Sequence, residues 1–194
     1  MPQVDPNQSF GDSAALAAVT DERLMLVFRI GNSEAFTELF RRYSNPVFGF
    51  FRRRLENPAR AEELAQETFV AVLRGIERYE PRATFRTYLY GIAMKILMAE
   101  RRKSAPRGSS AQAAVDPTAD PSVEAAIWVQ QAIEQLDADH RDILLLREFE
   151  QLTYDEIAAL LRLPVNTVRS RLFRARTALK AFLLPLRPEM RNEP

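Results

Sequence analysis

Cysteine is absent from this 194-residue chain and histidine occurs once. Without a thiol there is no disulfide and no thiolate metal site, and His140 alone cannot assemble a histidine-rich one, so structural zinc is excluded and neither a metal nor another cofactor is expected. Long apolar runs are missing too. Nothing reaches the length of a membrane span, and the N-terminus lacks the charged, apolar, small-residue order of an export signal, which predicts a soluble, cytoplasmic protein without membrane insertion. No alternating stretch of useful length and no internal repeat argues for a sheet. Nor is there a phosphate loop, a nucleophile beside a base or a metal constellation, so an enzyme reading, for which carboxylates such as Glu62, Glu63 and Glu67 could be proposed as acid-base groups, has no support.

What the chain does have is apolar bulk and an uneven distribution of charge. Hydrophobic residues make up 46%, enough to bury cores in one or two domains. The net charge is only +1. Residues 22–103 nevertheless carry 16 bases against 10 acids, residues 104–150 carry 3 against 9, and residues 151–194 carry 8 against 4. Two basic blocks flanking an acidic one suit two surfaces that meet a polyanion; solvated helix faces explain such modest excesses equally well.

Periodicity predicts helices throughout. Residues 1–20 are rich in Pro, Gln, Asn, Ser and Gly and read as a flexible tail, with a patch at 14–19 able to extend the first helix. Over 23–55, Phe36, Phe40, Tyr43, Val47 and Phe51 recur at helical steps, with Pro46 expected to mark a break or a helix start. A helix over 61–76 would bury Ala65, Phe69, Val72, Leu73 and Ile76, and another runs from 84 to 102. The stretch SAPRGSSAQAAVDPTADPSVE has three prolines and no aromatic residue, which makes it a linker. Helices resume over 123–136 and 141–150. The expected fold is all-α, with two small domains at 21–103 and 123–185, a linker at 104–122 and a short tail at 186–194.

The segment LTYDEIAALLRLPVNTVRSRLFRARTALK reads as a helix-turn-helix. Thr153 and Glu156 form a capping box, and Pro164 suits the start of the second helix. On that second helix Val165, Val168, Leu172, Ala175 and Leu179 share one sector, leaving Arg169, Ser170, Phe173, Arg174, Thr177 and Lys180 on the other. An exposed phenylalanine forfeits about 2 kcal/mol of burial. A DNA major groove would cover it, with the ring against a thymine methyl and arginines on guanine edges or phosphates; packing of Phe173 on the preceding helices is the plainer alternative.

This segment resembles the fourth conserved region of bacterial sigma factors of the extracytoplasmic-function group, chiefly through P-V-x-T-V-R-S-R-L followed by F-R-A-R. The resemblance implies that Thr167, Arg169, Ser170, Phe173 and Arg174 face a minus-thirty-five promoter element, with Arg147 on a phosphate. Asn166 and Arg162 stand where the family usually has glycine.

The N-terminal half is similar to the same family's second region. AEELAQETFVAVL resembles the helix that docks on core RNA polymerase and carries Gln66 and Glu67 at the matching positions, with Glu63 on the same exposed face as a further candidate contact; two acids four residues apart, Glu63 and Glu67, repel, which an external basic partner would relieve. In RYEPRATFRTYLYGIAMKILMAERRK, aromatics interleaved with bases suit single-stranded DNA. Phe85 and Leu89 are expected in the core, Tyr79 and Tyr88 less so. By resemblance, residues 79–84 form the loop that reads the melted minus-ten element, and Tyr79, Arg82, Thr84, Arg86, Tyr88 and Lys95 contact it. Tyr88, Gly91 and Lys95 replace the family's usual tryptophan, arginine and asparagine. The resemblance covers residues 23–103 and 123–184, with no sensory or housekeeping domain added. It implies a promoter-specificity subunit whose partners are core RNA polymerase, promoter DNA and a restraining anti-sigma factor, reached through a linker that allows the domains to reorient. The alternative is a conventional helix-turn-helix regulator whose N-terminal helices bind a ligand or dimerise.

Overall fold

A computed structural model of the chain describes residues 13–104 and 121–184. Among the described residues the secondary structure is entirely helical, and the chain divides into two compact units, 1–108 and 109–194. Residues 1–12 of the expected N-terminal tail, most of the linker expected at 104–122 and all of the tail expected at 186–194 lie outside the described residues. No described helix is long and apolar enough to cross a membrane.

The first unit holds α1 (Ser13–Ala17), α2 (Asp21–Arg29), α3 (Ser33–Arg52), α4 (Pro58–Gly75), a 3-10 turn over Ile76–Arg78 and α5 (Phe85–Ser104). Local chemistry sets the boundaries. Thr20, Asn32 and Asn57 each accept a backbone N–H of the following first turn, and Pro58 opens α4 where its missing N–H costs nothing. The break between the first two long helices falls at Gly31, whose φ of 104° closes a turn in which Asn32 N–H donates to the Val27 carbonyl. Pro46, expected to interrupt the pattern, instead lies inside a continuous α3. It removes the bond to the Arg42 carbonyl, a loss offset by packing of the helix's buried face, where Leu39, Tyr43, Val47, Phe50 and Phe51 are enclosed.

These side chains meet Leu24 and Met25 of α2, Leu64, Phe69 and Val72 of α4, and Phe85, Leu89, Met94 and Leu97 of α5. Each enclosed phenylalanine or leucine contributes about 1.5 to 3 kcal/mol. Leu73, assigned to this core on periodicity, is exposed, and Phe40 is likewise open while its ring still abuts Phe69 at 4.8 Å.

Residues 13–20, expected in the flexible tail, include α1 and are docked on α3. Leu16 is buried, and the Arg42 guanidinium donates to the carbonyls of Leu16, Ala17 and Val19 and to Asp21. Arg42 also pairs with the enclosed carboxylate of Glu38, as does Arg41. Composition hid this docking because it depends on an arginine more than twenty residues downstream.

The second unit holds α6 (Pro121–Glu134), α7 (Ala138–Glu148), α8 (Tyr154–Leu161) and α9 (Val165–Leu183). Leu136, Ile143, Leu145, Leu152, Ile157, Val168, Leu172 and Ala175 form its core.

Candidate nucleic-acid interface

The α8–α9 hairpin is built by short-range signals. Thr153 Oγ1 accepts the Glu156 N–H at 3.2 Å and Glu156 Oε2 accepts the Thr153 N–H at 2.8 Å, completing the capping box. Helix α8 ends at Arg162 in the left-handed region, φ 56°, with Leu163 N–H bonded to the Ala158 carbonyl at 2.9 Å. Val168, Leu172 and Ala175 then bury one side of α9. The opposite side presents Arg169, Ser170, Phe173, Arg174, Thr177 and Lys180, all exposed. Phe173 is 72% exposed, so it is not packed on the preceding helices. Thr167 is half-buried at the start of the helix, and its carbonyl accepts the Ser170 hydroxyl at 3.0 Å.

The basic residues of α9 divide into two sets. Arg171 pairs with Asp139 at 2.9 Å and Arg176 with Glu148 at 2.6 Å, so both fasten α9 to α7. Arg169, Arg174 and Lys180, on the Phe173 face, form no ion pair with the described residues. Arg147 is half-buried and works within the unit: its Nη1 donates to the Leu152 carbonyl at 2.9 Å and its guanidinium lies 5.4 Å from the Tyr154 ring centroid. A guanidinium with five donors has others to spare for a phosphate.

In the first unit, Thr84 immediately precedes α5 and caps it, its hydroxyl oxygen accepting the Thr87 N–H at 3.2 Å. At about 100° per residue Thr84, Tyr88 and Lys95 fall on one face, with Thr84 and Lys95 exposed and Tyr88 half-buried. Arg82 projects from the exposed loop and pairs with Glu80 at 2.5 Å. Arg86 points elsewhere, toward the Tyr43 hydroxyl on the opposite side of α5.

Tyr79 corrects the expectation that it lies outside the core. The residue is only 2% exposed, its ring edge-on to Tyr88 at 5.1 Å, and its hydroxyl has no hydrogen-bond partner among the described residues. Burial pushes that hydroxyl up to about 12, helped by the charge on Glu22. A ring so enclosed cannot stack on a base without leaving the core. Tyr88 reaches past Tyr79 with its hydroxyl over Gly75, where an added Cβ would come within 2.8 Å of it.

The outer face of α4 carries Glu62, Glu63, Gln66, Glu67, Val70, Leu73 and Arg74, all exposed. The repulsion expected between Glu63 and Glu67 is already relieved on one side, since Arg60 pairs with Glu63 at 2.6 Å while also gripping Glu100 of α5 through two bonds. Glu67 has no such partner among the described residues.

Two residues that carried no sequence signal touch the minus-ten candidate loop. Arg29 Nη1 donates to the Tyr79 carbonyl at 3.0 Å, and Glu22 Oε1 accepts the Phe85 N–H at 2.7 Å. They lie 50 and 63 residues from their partners, beyond the reach of any local pattern.

Comparison with known proteins covers both units. The models of Sigma-70 region 2 and Sigma-70 region 4 match residues 39–106 and 126–179. The RNA polymerase sigma-H factor of Pseudomonas aeruginosa is 33% identical over 183 residues, covering 86% of this chain and 95% of that one. The RNA polymerase sigma factor CarQ of Myxococcus xanthus is 34% identical over 172 residues, covering 84% and 97%. The ECF RNA polymerase sigma-E factor of Escherichia coli is 32% identical over 187 residues, covering 87% and 96%. Among solved structures, CnrH in complex with the cytosolic domain of CnrY shares the fold with a TM-score of 0.68 at 24% identity, covering 87% of this chain and 99% of that one. With both conserved regions matched in order and full-length relatives above 30% identity, the chain belongs to the sigma-70 family of RNA polymerase sigma factors, in its extracytoplasmic-function group.

Proposed function

We propose that this sigma factor divides promoter recognition between its two units in the following way. The exposed side of α9 enters the major groove of the minus-thirty-five element, with Phe173 against base methyls and Arg169, Ser170 and Arg174 on base edges or phosphates, Thr167 at the helix start and Arg147 on a flanking phosphate. The loop 79–84 and the face of α5 bearing Thr84, Tyr88 and Lys95 capture the melted minus-ten strand, Tyr88 stacking and Lys95 and Arg82 holding phosphates. Tyr79 anchors this loop from inside. The α4 face with Glu63, Gln66 and Glu67 docks on core RNA polymerase, Glu67 offering a carboxylate that needs a cationic partner.

Polymerase carries the chemistry, and the sigma factor contributes binding energy that offsets lost base stacking; it is not itself an enzyme and acts in the cytoplasm. The observation that carries the α9 assignment is Phe173, an uncovered aromatic flanked by Arg169 and Arg174. The match to region 2 favours this reading over a conventional helix-turn-helix regulator, which has no need of it. An anti-sigma factor is the proposed restraint: RpoE of Bartonella quintana, which shares the fold at a TM-score of 0.65, was solved with the anti-sigma factor NepR.

Transcription in vitro with sigma-free core polymerase, followed by mapping of start sites, tests the reading. Discrete start sites should appear only when the chain is added. Specific duplex binding by the chain without any initiation would support the regulator instead.

A further inference from the structure

We propose that Glu22 and Arg29 of α2 are positioning residues for the minus-ten loop, pinning its two ends so that the exposed segment between them holds the shape that selects a base. The inference rests on the assignment of residues 79–84 to the melted minus-ten strand. Neither residue belongs to the face proposed to touch DNA.

The geometry is that of a staple. Arg29 Nη1 donates to the Tyr79 carbonyl at 3.0 Å where the loop begins, and Glu22 Oε1 accepts the Phe85 N–H at 2.7 Å where it ends. Seven residues apart, Glu22 and Arg29 lie two turns from each other on one side of α2. The carboxylate also faces the positive end of α5, where a negative charge is favoured.

The platform is rigid. Leu24 and Met25, between the two anchors, are fully enclosed, and Asp21 is fastened by Arg42 and by the Tyr43 hydroxyl. Tyr79 contributes its buried ring at the same anchor point. Between the anchors, residues 80–84 are all exposed, with Arg82 N–H bonded to the Glu80 carbonyl at 2.8 Å. A loop fixed at both ends has less conformational freedom to lose on binding and tolerates fewer wrong fits. Loosening an end should therefore erode discrimination among bases more than total affinity, because phosphate grips such as that of Lys95 are untouched.

The test uses holoenzyme and a pool of single-stranded DNA with six randomised positions, sequencing the retained molecules to obtain the ratio of most to least favoured base at each position. That ratio reports only on folded, DNA-competent protein, so a simple loss of stability does not move it. Glu22→Ala and Arg29→Ala should each lower the ratio at the loop-read position by roughly three- to tenfold, the worth of one hydrogen bond. Glu22→Gln, which keeps an acceptor oxygen, should recover most of it. Ratios equal to the parent's in both alanine variants would overturn the staple while leaving the loop assignment standing. A parent holoenzyme with no base preference would overturn the loop assignment and the staple with it.

Discussion

Phe173, Arg169 and Arg174 stand out on α9 by what they lack among the described residues, namely a covering side chain or an ion-pair partner, whereas Arg171 and Arg176 pair with Asp139 and Glu148. Substitution by alanine should separate the two sets. Arg169→Ala, Phe173→Ala and Arg174→Ala are expected to weaken promoter binding by about 1 to 3 kcal/mol wherever the side chain grips a base edge, with thermal stability changed by no more than about 0.5 kcal/mol. If an arginine instead holds a phosphate, the weakening should be uniform across sequences and the salt slope should flatten by about one unit. Arg171→Ala and Arg176→Ala should leave sequence preference intact. Titration of labelled promoter at several salt concentrations, beside thermal unfolding, reads both effects. Glu38 offers a different test. Hydrogen bonds from Arg41 and then Arg42, working against burial, hold its carboxyl down at about 2 from an ordinary 4.5. The folded value lies below the unfolded one, so its contribution is complete above pH 4.5 and disappears as pH falls toward 2. Denaturant midpoints of the first unit should drop across that window, and Glu38→Gln should flatten the drop while lowering the midpoint at neutral pH.

Helix boundaries show where a local signal suffices and where it does not. The capping box at Thr153 and Glu156 was legible because both partners lie within one turn, whereas the α4 helix, expected from 61, starts three residues earlier behind a cap at Asn57. Pro46 misled because its penalty is local while the compensation, the enclosed aromatics of α3 and its neighbours, is not. Pro46→Ala restores an N–H for the Arg42 carbonyl and should stabilise the first unit by about 1 kcal/mol or more, after allowance for the freer unfolded chain. The turn before α9 makes the complementary case. Arg162 adopts a left-handed conformation that costs a side-chain-bearing residue about 1 to 2 kcal/mol. Arg162→Gly should relieve that strain, offset in part by chain entropy, and leave the second unit no less stable than the parent; a marked loss in chemical denaturation would assign the Arg162 side chain a structural role instead.

Each of the two units encloses its own core, and the family match respects the same division. Fragments spanning 13–104 and 121–184 are therefore expected to remain helical and to unfold cooperatively on their own by circular dichroism, with the second binding upstream duplex without the first. Failure of either fragment to fold would mean that its core is completed from elsewhere in the chain.

Helical periodicity and the capping box were enough to predict an all-helical chain with a helix-turn-helix near its end, and the run P-V-x-T-V-R-S-R-L followed by F-R-A-R carried the resemblance to sigma factors, because these features depend on spacings within a turn or two of helix. Partner choice across space was not so encoded. That Tyr79 turns inward while Tyr88 stays accessible, that Arg171 and Arg176 are committed to α7, and that Glu22 and Arg29 grip a loop 50 or more residues away all follow from which helices pack together. An aromatic or a charge looks alike in a one-dimensional pattern whether it faces a core, an ion-pair partner or solvent, and only the packed chain assigns it to one of them.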